Sequence, residues 1–128
     1  MPLDPNYETM MQQSINRSLI ILTARDIESN ALIGYVFNLV GTHTHYKTTL
    51  HACIDMYWLH PAHRRGWTGY NMLKENKELM RKLGVVRHMI GENLSFTKDD
   101  RVRRGFRLML KRLGYKARDI HYGCLLQE

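Results

Sequence analysis

The stretch His60-Pro61-Ala62-His63-Arg64-Arg65-Gly66-Trp67-Thr68-Gly69-Tyr70-Asn71-Met72-Leu73 joins a run of residues typical of a strand to one typical of an amphipathic helix. Two arginines and two glycines fall where that helix begins. A helix start exposes backbone N–H groups that have no intrahelical partner, and its dipole adds partial positive charge. Glycine leaves those groups accessible, and arginine adds formal charge and a planar set of donors. The segment therefore predicts a binding site for a phosphorylated ligand; the alternative is an ordinary strand–turn–helix corner with solvated arginines.

The composition favours one compact domain with anionic partners. The chain has 128 residues, 44% of them hydrophobic, which is enough for the core of a single domain spanning 1–128. Lys and Arg number 19 against 12 Asp and Glu, and the formal net charge of +7 favours nucleic acid, an acidic protein or a phosphate-bearing cofactor. Since no apolar run has membrane-spanning length and no secretory signal is visible, we expect no membrane association.

The two cysteines indicate a reducing compartment. Cys53 and Cys124 are too few for a disulfide framework, and neither has the spacing of a metal ligand. Both fall in runs that predict strands, so we expect buried free thiols. The simplest inference is an intracellular, cytoplasmic protein.

Hydrophobic periodicity predicts an α/β chain whose early strands form hairpins and whose later strands are joined by helices. An apolar face recurs at helical spacing in two long segments: Met72, Leu73, Asn76, Leu79, Met80 and Leu83, and then Val102, Phe106, Met109, Leu110 and Leu113. The predicted elements are a short helix capped by Asn6, strands over 18–27 and 31–40, a polar connection over 41–47, a strand over 51–59, a helix from Thr68 to the C′ residue Gly84, a strand over 85–90, a helix after the capping pair Thr97 and Asp100, and a last strand over 115–126.

This element order and the Arg/Gly turn together resemble the GNAT superfamily of acyl-CoA-dependent N-acetyltransferases. In that family a strand ending near a proline leads into an Arg/Gln-x-x-Gly-x-Gly/Ala turn, and the next helix binds the cofactor pyrophosphate. Here Leu59-His60-Pro61 matches the strand end, Arg64 the basic position and Gly69 the last glycine, whereas Trp67 stands at the first glycine and Gly66 one place earlier. Leu113-Gly114-Tyr115 is similar to the Leu-Gly-Phe that ends the family's last helix.

The resemblance covers roughly 18–126 and implies a single GNAT-like α/β domain with a mixed sheet. Its antiparallel strands come first, its N-terminal helices are truncated, and a cofactor cleft opens between two splayed central strands. The implied function is transfer of an acetyl group from acetyl-CoA, as co-substrate, to an amine on a protein or a small molecule. The alternative is a GNAT-shaped binding protein with little or no turnover, acting on a host protein or nucleic acid through its basic face.

A closer resemblance concerns the polar segment His43-Thr44-His45-Tyr46-Lys47, which is similar to small GNAT-like proteins encoded by tailed bacteriophages. It implies a bacteriophage protein that modifies a host target in the host cytoplasm. The strand predicted over 120–126 could pair across a homodimer.

The resemblance also implies which residues hold the cofactor. Backbone groups of Trp58 and Leu59 would bind the pantetheine arm, and N–H donors near Met56 and Tyr57, in a bulge of the strand, would polarise the thioester carbonyl. The pyrophosphate would lie on the turn and the first helical residues: Arg64, Arg65, Gly66, Trp67, Thr68, Gly69 and Tyr70.

Two residues of the strand over 51–59 are candidates for the base that deprotonates the amine. His51 and Asp55 alternate onto one face of the strand together with Cys53. Aligned without gaps from Arg64, His51 falls where some family members carry a glutamate base, and histidine titrates near neutrality. Asp55 is the second candidate, acting through a water. The alternative is a partly exposed histidine and a salt-bridged aspartate.

The proton donor to the departing thiolate is not the family's usual one. That residue is a tyrosine four positions before the glycine that ends the last helix, and here the position is Leu110. Tyr122, Tyr115 or water would substitute, and Tyr122 is our candidate.

Two further clusters are weighed against simpler interpretations. His43 and His45 with His51 suggest a metal, but no Cys or carboxylate completes a ligand set, so we predict no metal site. A row of cations on the last helix is interpreted as a solvated face, with an anion-binding surface as the alternative: Arg101, Arg103, Arg104, Arg107, Lys111 and Arg112.

Overall fold

The structure is a computed structural model that describes residues 3–94 and 98–126. The chain divides into two compact units, Met1–Asn93 and Leu94–Glu128. The single domain expected over 1–128 stays a prediction. Within the described ranges, no helix combines the length and the apolar character needed to cross a bilayer.

The first unit is a four-stranded mixed sheet with a helical crossover. Its strands lie in chain order, with antiparallel pairing up to the third strand and parallel pairing between the third and fourth. This confirms the predicted fold class: hairpins come first, and a helix then carries the chain back to a parallel strand. The elements are α1 (Tyr7–Ile15), β1 (Leu19–Arg25), β2 (Leu32–His43), β3 (Tyr46–Leu59), a 3-10 turn (Pro61–His63), α2 (Thr68–Lys82) and β4 (Val85–Ile90).

The hairpin between β2 and β3 is longer than predicted. The polar connection expected over 41–47 was wrong, because both strands continue into it and only Thr44 and His45 form the turn. Threonine is β-branched and favours strands, and polar side chains are tolerated in a hairpin whose ends are exposed. The extension brings His43 and Tyr46 into register opposite one another.

The core lies between one face of the sheet and α2. The helix buries Met72, Leu73, Asn76 and Met80, as its periodicity predicted, whereas Leu83 is exposed. Alternate residues of β2 are buried on the same side, beginning with Gly34 and Val36. Gly34 is required there because a Cβ would come within 2.8 Å of Met72 Cε and 2.9 Å of Trp58 O.

Gly34→Ala is therefore expected to destabilise the protein by about 1–3 kcal/mol, because the added methyl would overlap the backbone oxygen of Trp58 on β3 and push aside the end of the Met72 side chain. Gly41→Ala is the matched control: it lies in the same strand, and nothing stands within 4 Å of its Cβ position. Urea unfolding of both variants measures the difference. Equal stability of the two would contradict the close packing of Met72 on β2.

A buried polar cluster interrupts this core. Asn38 and Asn76 have no exposed surface and exchange two amide hydrogen bonds, Asn38 Nδ2 to Asn76 Oδ1 at 2.8 Å and Asn76 Nδ2 to Asn38 Oδ1 at 2.9 Å. His88 of β4 joins them, with Nε2 3.1 Å from Asn38 Oδ1. Burial, with a smaller contribution from the charge of Lys77, lowers the pKa of His88 from 6.5 to about 4.

This shift predicts a loss of stability in mild acid. Because the folded-state pKa is the lower one, the unfolded chain binds the proton first as the pH falls. The stabilisation is complete above pH 6.5 and decreases toward pH 4, by at most about 1.4 kcal/mol per pH unit for one proton. Urea unfolding at pH 7 and pH 5 should show a smaller loss in His88→Gln, which keeps a donor and does not titrate. Identical losses in both proteins would refute the assignment.

The second unit contains one described helix, α3 (Asp100–Arg112). Asp99 caps it by accepting a hydrogen bond from Arg101 N at 2.8 Å, and the predicted cap Thr97 lies outside the described residues. On the predicted apolar face Leu113 is buried, whereas Val102 is exposed.

The last strand, predicted over 115–126, was wrong: no strand is present in that range. A strand needs a partner that satisfies its backbone N–H and C=O groups, and no other strand lies among the described residues of this unit. The apolar side chains that suggested the strand, Ile120 and Tyr122 among them, are exposed.

The expected burial of the two thiols was also wrong. Cys124 lies in this irregular segment and is exposed. Cys53 is exposed because it lies on the sheet face opposite α2, between the buried neighbours Ala52 and Ile54. Partial burial, and then the charge of Asp55, raise the pKa of the Cys53 thiol, which favours the thiol over the reactive thiolate.

Candidate active site

The corner between β3 and α2 is held by its own polar groups. His60 Nδ1 accepts a hydrogen bond from Ala62 N at 3.1 Å and so begins the 3-10 turn. Arg64 Nε donates to Leu59 O, the last carbonyl of β3, at 2.7 Å. Gly66 has a φ of +104°, which L side chains rarely adopt, and it reverses the chain before the helix. The guanidinium of Arg64 is thus fixed beside the point where α2 starts.

The first turn of α2 leaves its backbone donors available. Trp67 is the N-cap residue, and its side chain makes no capping hydrogen bond. Asn71 N is the donor that bonds back to Trp67 O, at 2.8 Å, so the N–H groups of Thr68, Gly69 and Tyr70 precede the first intrahelical bond. The first turn carries no acidic residue, and Arg64 and Arg65 are exposed next to it. This arrangement suits a bound anion.

Packing against β3 also requires a glycine at position 69. Tyr57 Oη of β3 donates to Gly69 O at 3.3 Å, and a Cβ on Gly69 would come within 2.8 Å of that hydroxyl. Burial raises the pKa of Tyr57, so the hydroxyl stays protonated and keeps its role as a donor. The hydrogen bond ties the first turn of the helix to the strand.

Trp67 does not fill the corner. Its side chain is 62% exposed, and the indole meets the ring of Tyr70 edge to face at 5.4 Å. Trp67, which stands where the resembled pattern has a glycine, thus lies largely at the surface against Tyr70.

Next to this corner, β3 contains a bulge and a stretch that is not paired with β4. The pairing of β3 with β2 skips Asp55, which lies between the partners of Phe37 and Asn38. The parallel ladder with β4 ends where Ile54 meets Ile90, whereas β3 continues to Leu59. Beyond the bulge, one side of β3 therefore has no strand partner among the described residues of the sheet.

One hydrogen bond shows in which direction the backbone groups near the end of β3 point. His60 N donates to Ile33 O of the neighbouring chain segment at 2.7 Å, so the groups of His60 point toward β2. Since successive residues of a strand point in opposite directions, Trp58 also faces β2, and Tyr57 and Leu59 face the open side. The side chain of Trp58 stacks on Tyr35 at 5.5 Å.

A depression of about 340 Å³ lies near the other end of β3. No carboxylate and no Lys or Arg is among the described residues that line it. Its lining residues come from α1, β2, β3 and β4 and the chain between α1 and β1: Gln13, Ser18, Leu39, Val40, Gly41, Thr42, His43, His51, Ala52, Cys53 and Met89.

His51 is the lining residue with an unsatisfied atom. Thr49 Oγ1 donates its single hydrogen to Tyr46 O at 3.5 Å, so it accepts from His51 Nε2–H at 3.3 Å. This assigns the tautomer and leaves a lone pair on Nδ1, which is buried and has no hydrogen-bond partner in the described part of the chain. Ring contacts with His43 at 5.6 Å and Tyr46 at 5.5 Å hold the imidazole in place.

The candidate bases lie at two different places. Asp55 is exposed in the bulge itself, and His51 lies four residues earlier, about 13 Å away along an extended strand. A base at His51 thus needs a water or the acceptor itself to reach the bulge, whereas Asp55 is adjacent to it.

The candidates for the proton donor lie in the second unit. Tyr122 is 92% exposed on the irregular segment after α3, and Leu110 is half-buried in the helix. Burial raises the pKa of Tyr115 to about 12, which disfavours its ionisation. Among the residues that the structure describes, no group of three or more His, Cys, Asp or Glu is arranged to hold a metal ion.

Sequence reasoning missed two side chains that shape these places. Tyr57 was considered only for its backbone, and its hydroxyl tether to α2 could have been suspected from a glycine inside the first helical turn. Thr49 sets the tautomer of His51. The one signal for it in the sequence was that it lies two residues before His51.

Comparisons with known proteins identify the fold. No protein-family model matches the chain, and no curated protein matches it. Solved structures do, and the chain has the fold of these acetyltransferases. One is an aminoglycoside acetyltransferase from an uncultured soil metagenomic sample, with a TM-score of 0.73 and 15% identity over 98% of this chain and 77% of that one. Another is glucosamine-6-phosphate N-acetyltransferase from Arabidopsis thaliana, with a TM-score of 0.73 and 7% identity over 95% and 76%. A GNAT family acetyltransferase from Staphylococcus aureus has a TM-score of 0.66 and 14% identity over 98% and 79%.

Proposed function

We propose that the chain is an N-acetyltransferase that moves an acetyl group from acetyl-CoA to an amine. One observation carries the proposal: β3 runs past the end of its ladder with β4 and leads into an uncapped helix start beside Arg64 and Arg65. A bulge, a stretch of β3 without a strand partner among the described residues of the sheet, and an uncapped helix start beside two arginines thus follow one another along the chain. The acetyltransferases that share the fold support the same reaction class.

The residues at this corner fit the co-substrate. The N–H groups of Thr68, Gly69 and Tyr70 and the two arginines would hold the pyrophosphate, since charge-assisted hydrogen bonds to phosphate are strong. Trp58 and Leu59 were expected to bind the pantetheine arm, but the backbone groups of Trp58 point toward β2. Leu59 N–H, on the open side, would therefore bind the arm together with Tyr57. N–H groups at the bulge, near Met56 and Tyr57, would face the thioester carbonyl and stabilise the oxygen as it becomes negative.

Other residues would accept the proton that the amine loses and supply the proton that the thiolate gains. In the reaction the amine nitrogen forms a bond to the carbonyl carbon, the C–S bond breaks, and the thiolate takes a proton. We assign the amine's proton to His51 or Asp55. His51 Nδ1 is buried without a hydrogen-bond partner in the described part of the chain and lies about 13 Å from the bulge, so it would act through a chain of waters or on an acceptor that reaches it, whereas Asp55 lies in the bulge itself. Tyr122, or water, would protonate the thiolate.

The lining of the depression narrows the acceptor. A polycationic amine would need carboxylates to balance its charge, and none is among the described lining residues. We place the acceptor in this depression only because the candidate base His51 lines it, and on that placement an acceptor with a single amine and a largely uncharged body is expected. In an acceptor panel, such amines should be acetylated faster than a polyamine or an aminoglycoside at equal concentration. Preferential acetylation of the polycations would contradict this assignment.

Thermal unfolding with acetyl-CoA, followed by a free-thiol assay with candidate amines, tests the proposal. A ligand at a hundred times its Kd stabilises the folded state by about 2.7 kcal/mol, which corresponds to a clear rise in Tm. Thiol release that depends on the amine establishes turnover. No rise in Tm at millimolar acetyl-CoA would overturn the proposal.

The second candidate is a GNAT-shaped binding protein that uses the basic face of α3. It is favoured by the charge of this one helix, which is largely exposed: Arg101, Arg103, Arg104, Arg107, Lys111 and Arg112, against Asp100. Arg103 is partly engaged, by Leu94 O at 2.8 Å and Asp100 at 3.7 Å. Tight, salt-dependent polyanion binding that Arg101→Glu with Arg104→Glu abolishes, together with absence of turnover, would favour this function.

A further inference from the structure

The pair Asn38–Asn76 is an unusual feature of the core. Two fully buried amides face each other between the sheet and α2, where their buried neighbours include Val36, Leu73 and Met80. Apolar residues of similar volume would fill the same space without any polar group to satisfy. A buried polar pair is retained at little penalty only while its geometry is maintained, because a small displacement leaves amide groups without partners.

The orientation of the two amides is fixed by their surroundings. Asn38 Nδ2 donates to Ile20 O of β1 at 3.1 Å, so Asn38 Oδ1 must face the opposite way. There it accepts from Asn76 Nδ2 at 2.9 Å and from His88 Nε2 at 3.1 Å. One side chain of β2 is therefore bonded to β1, β4 and α2, and every one of its amide hydrogen bonds defines a distance between elements.

The pair lies at the level of the bulge. Asn38 is the partner of Ile54, directly before the extra residue Asp55. Asn76 is eight residues after Thr68, about 12 Å down the helix from its first residue. Asp55 is four residues, about 13 Å, before Leu59, where β3 ends beside the same helix start. From the corner at Leu59 and Thr68, β3 and α2 thus each extend about the same distance to the level of the amide pair.

We infer that Asn38 and Asn76 are positioning residues that set the height of α2 along β3, and with it the span from the β-bulge to the first-turn amides of the helix. The inference rests on the proposed function, because that span is the length over which the co-substrate would be held. A shift of α2 by one residue moves its N-terminus by about 1.5 Å and breaks both amide bonds. A purely apolar contact would tolerate such a shift more readily, because dispersion and burial have little directional preference.

Replacement of one or both amides by leucine tests the inference. Asn38→Leu or Asn76→Leu alone leaves the other amide buried without its partner, so each single variant should be markedly less stable. The double variant Asn38→Leu with Asn76→Leu removes both amides, so its stability should exceed that of either single variant, although the bond between His88 Nε2 and Asn38 Oδ1 is also lost. Its kcat/KM should nevertheless fall at least tenfold, with KM for acetyl-CoA rising, because the span is no longer fixed.

Met80→Ala is the matched control. It lies one turn further along the same buried face of α2 and should lower stability by opening a cavity, with kcat and KM unchanged. A double leucine variant with wild-type stability and unchanged kcat and KM would overturn the inference. So would a loss of activity in Met80→Ala equal to that of the double variant.

Hydrogen exchange separates this inference from the proposed function. In the double leucine variant, the hydrogen-bonded amides of α2 from Asn71 onward, and those of β3 near the bulge that bond to β2, should exchange faster than in the wild type, without any ligand. Unchanged exchange there overturns the positioning role. If the wild type neither binds nor turns over acetyl-CoA, the proposed function fails, and the exchange data still decide whether the pair holds the helix in register.

Discussion

The double variant Arg64→Ala with Arg65→Ala is expected to bind acetyl-CoA about 100-fold more weakly than the wild type, and its rise in Tm with the ligand should almost disappear. Each guanidinium would contribute charge-assisted hydrogen bonds to the pyrophosphate, worth about 1.5 kcal/mol or more apiece. Together they account for about 3 kcal/mol, or two orders of magnitude in Kd. Thermal unfolding and isothermal titration with acetyl-CoA measure the effect.

Three single variants separate the roles of the two arginines. Arg65→Ala removes charge without touching the 2.7 Å bond from Arg64 Nε to Leu59 O. Arg64→Lys keeps the charge and loses that bond, so it should bind more weakly than the wild type while unfolding at a slightly lower temperature. Arg81→Ala, near the far end of α2 and paired with Glu78 at 2.6 Å, lowers the net charge by one, as Arg65→Ala does, and should bind acetyl-CoA normally. Normal binding by the double variant would move the phosphate site elsewhere.

His51→Ala is expected to lower kcat by about 100- to 1,000-fold and to leave the Kd for acetyl-CoA unchanged. The imidazole is the proposed acceptor of the amine's proton, and it lies away from the helix start that would hold the pyrophosphate. His51→Gln should be equally impaired, because it replaces the ring by a polar group that accepts no proton. The amine-dependent rate of thiol release measures kcat.

Two further variants locate the base. Thr49→Val removes the partner of His51 Nε2 and should lower kcat less than loss of the ring, since the tautomer is then no longer enforced. His45→Ala takes away a histidine of the same hairpin and should keep wild-type turnover. If His51→Ala retains its activity and Asp55→Asn loses it, the base is the carboxylate in the bulge.

Elements defined by short-range patterns were predictable from the sequence. The structure confirms β4 over Val85–Ile90 and α2 from Thr68 to Lys82, because the apolar period and the positive φ of Gly84 are encoded locally. The last strand was not predictable, since a strand depends on a partner that lies elsewhere in the chain. The hairpin was underestimated because polar threonines and histidines look like a loop when their pairing is unknown.

In the candidate site, too, features encoded locally were predictable and features that depend on distant contacts were not. The Arg64–Tyr70 corner could be recognised because turn, charge and helix start are contiguous in sequence. Three hydrogen bonds could not be recognised in this way: from Tyr57 to Gly69, between Thr49 and His51, and between Asn38 and Asn76. They depend on which residues the folded sheet and helix bring together, and no local pattern shows this. The phage origin, the host cytoplasm as location, the homodimer and the acidic protein partner stay predictions.

The strand order has a consequence for how the chain assembles. Each strand of the sheet pairs with the one synthesised just before it, so the sheet grows at one edge as residues become available. The three-stranded meander forms through short loops, whose closure entropy is small, before α2 and β4 are needed. We therefore expect the chain to begin folding from its N-terminal side during translation, and the parallel ladder of β3 with β4 to form last, when α2 completes the core.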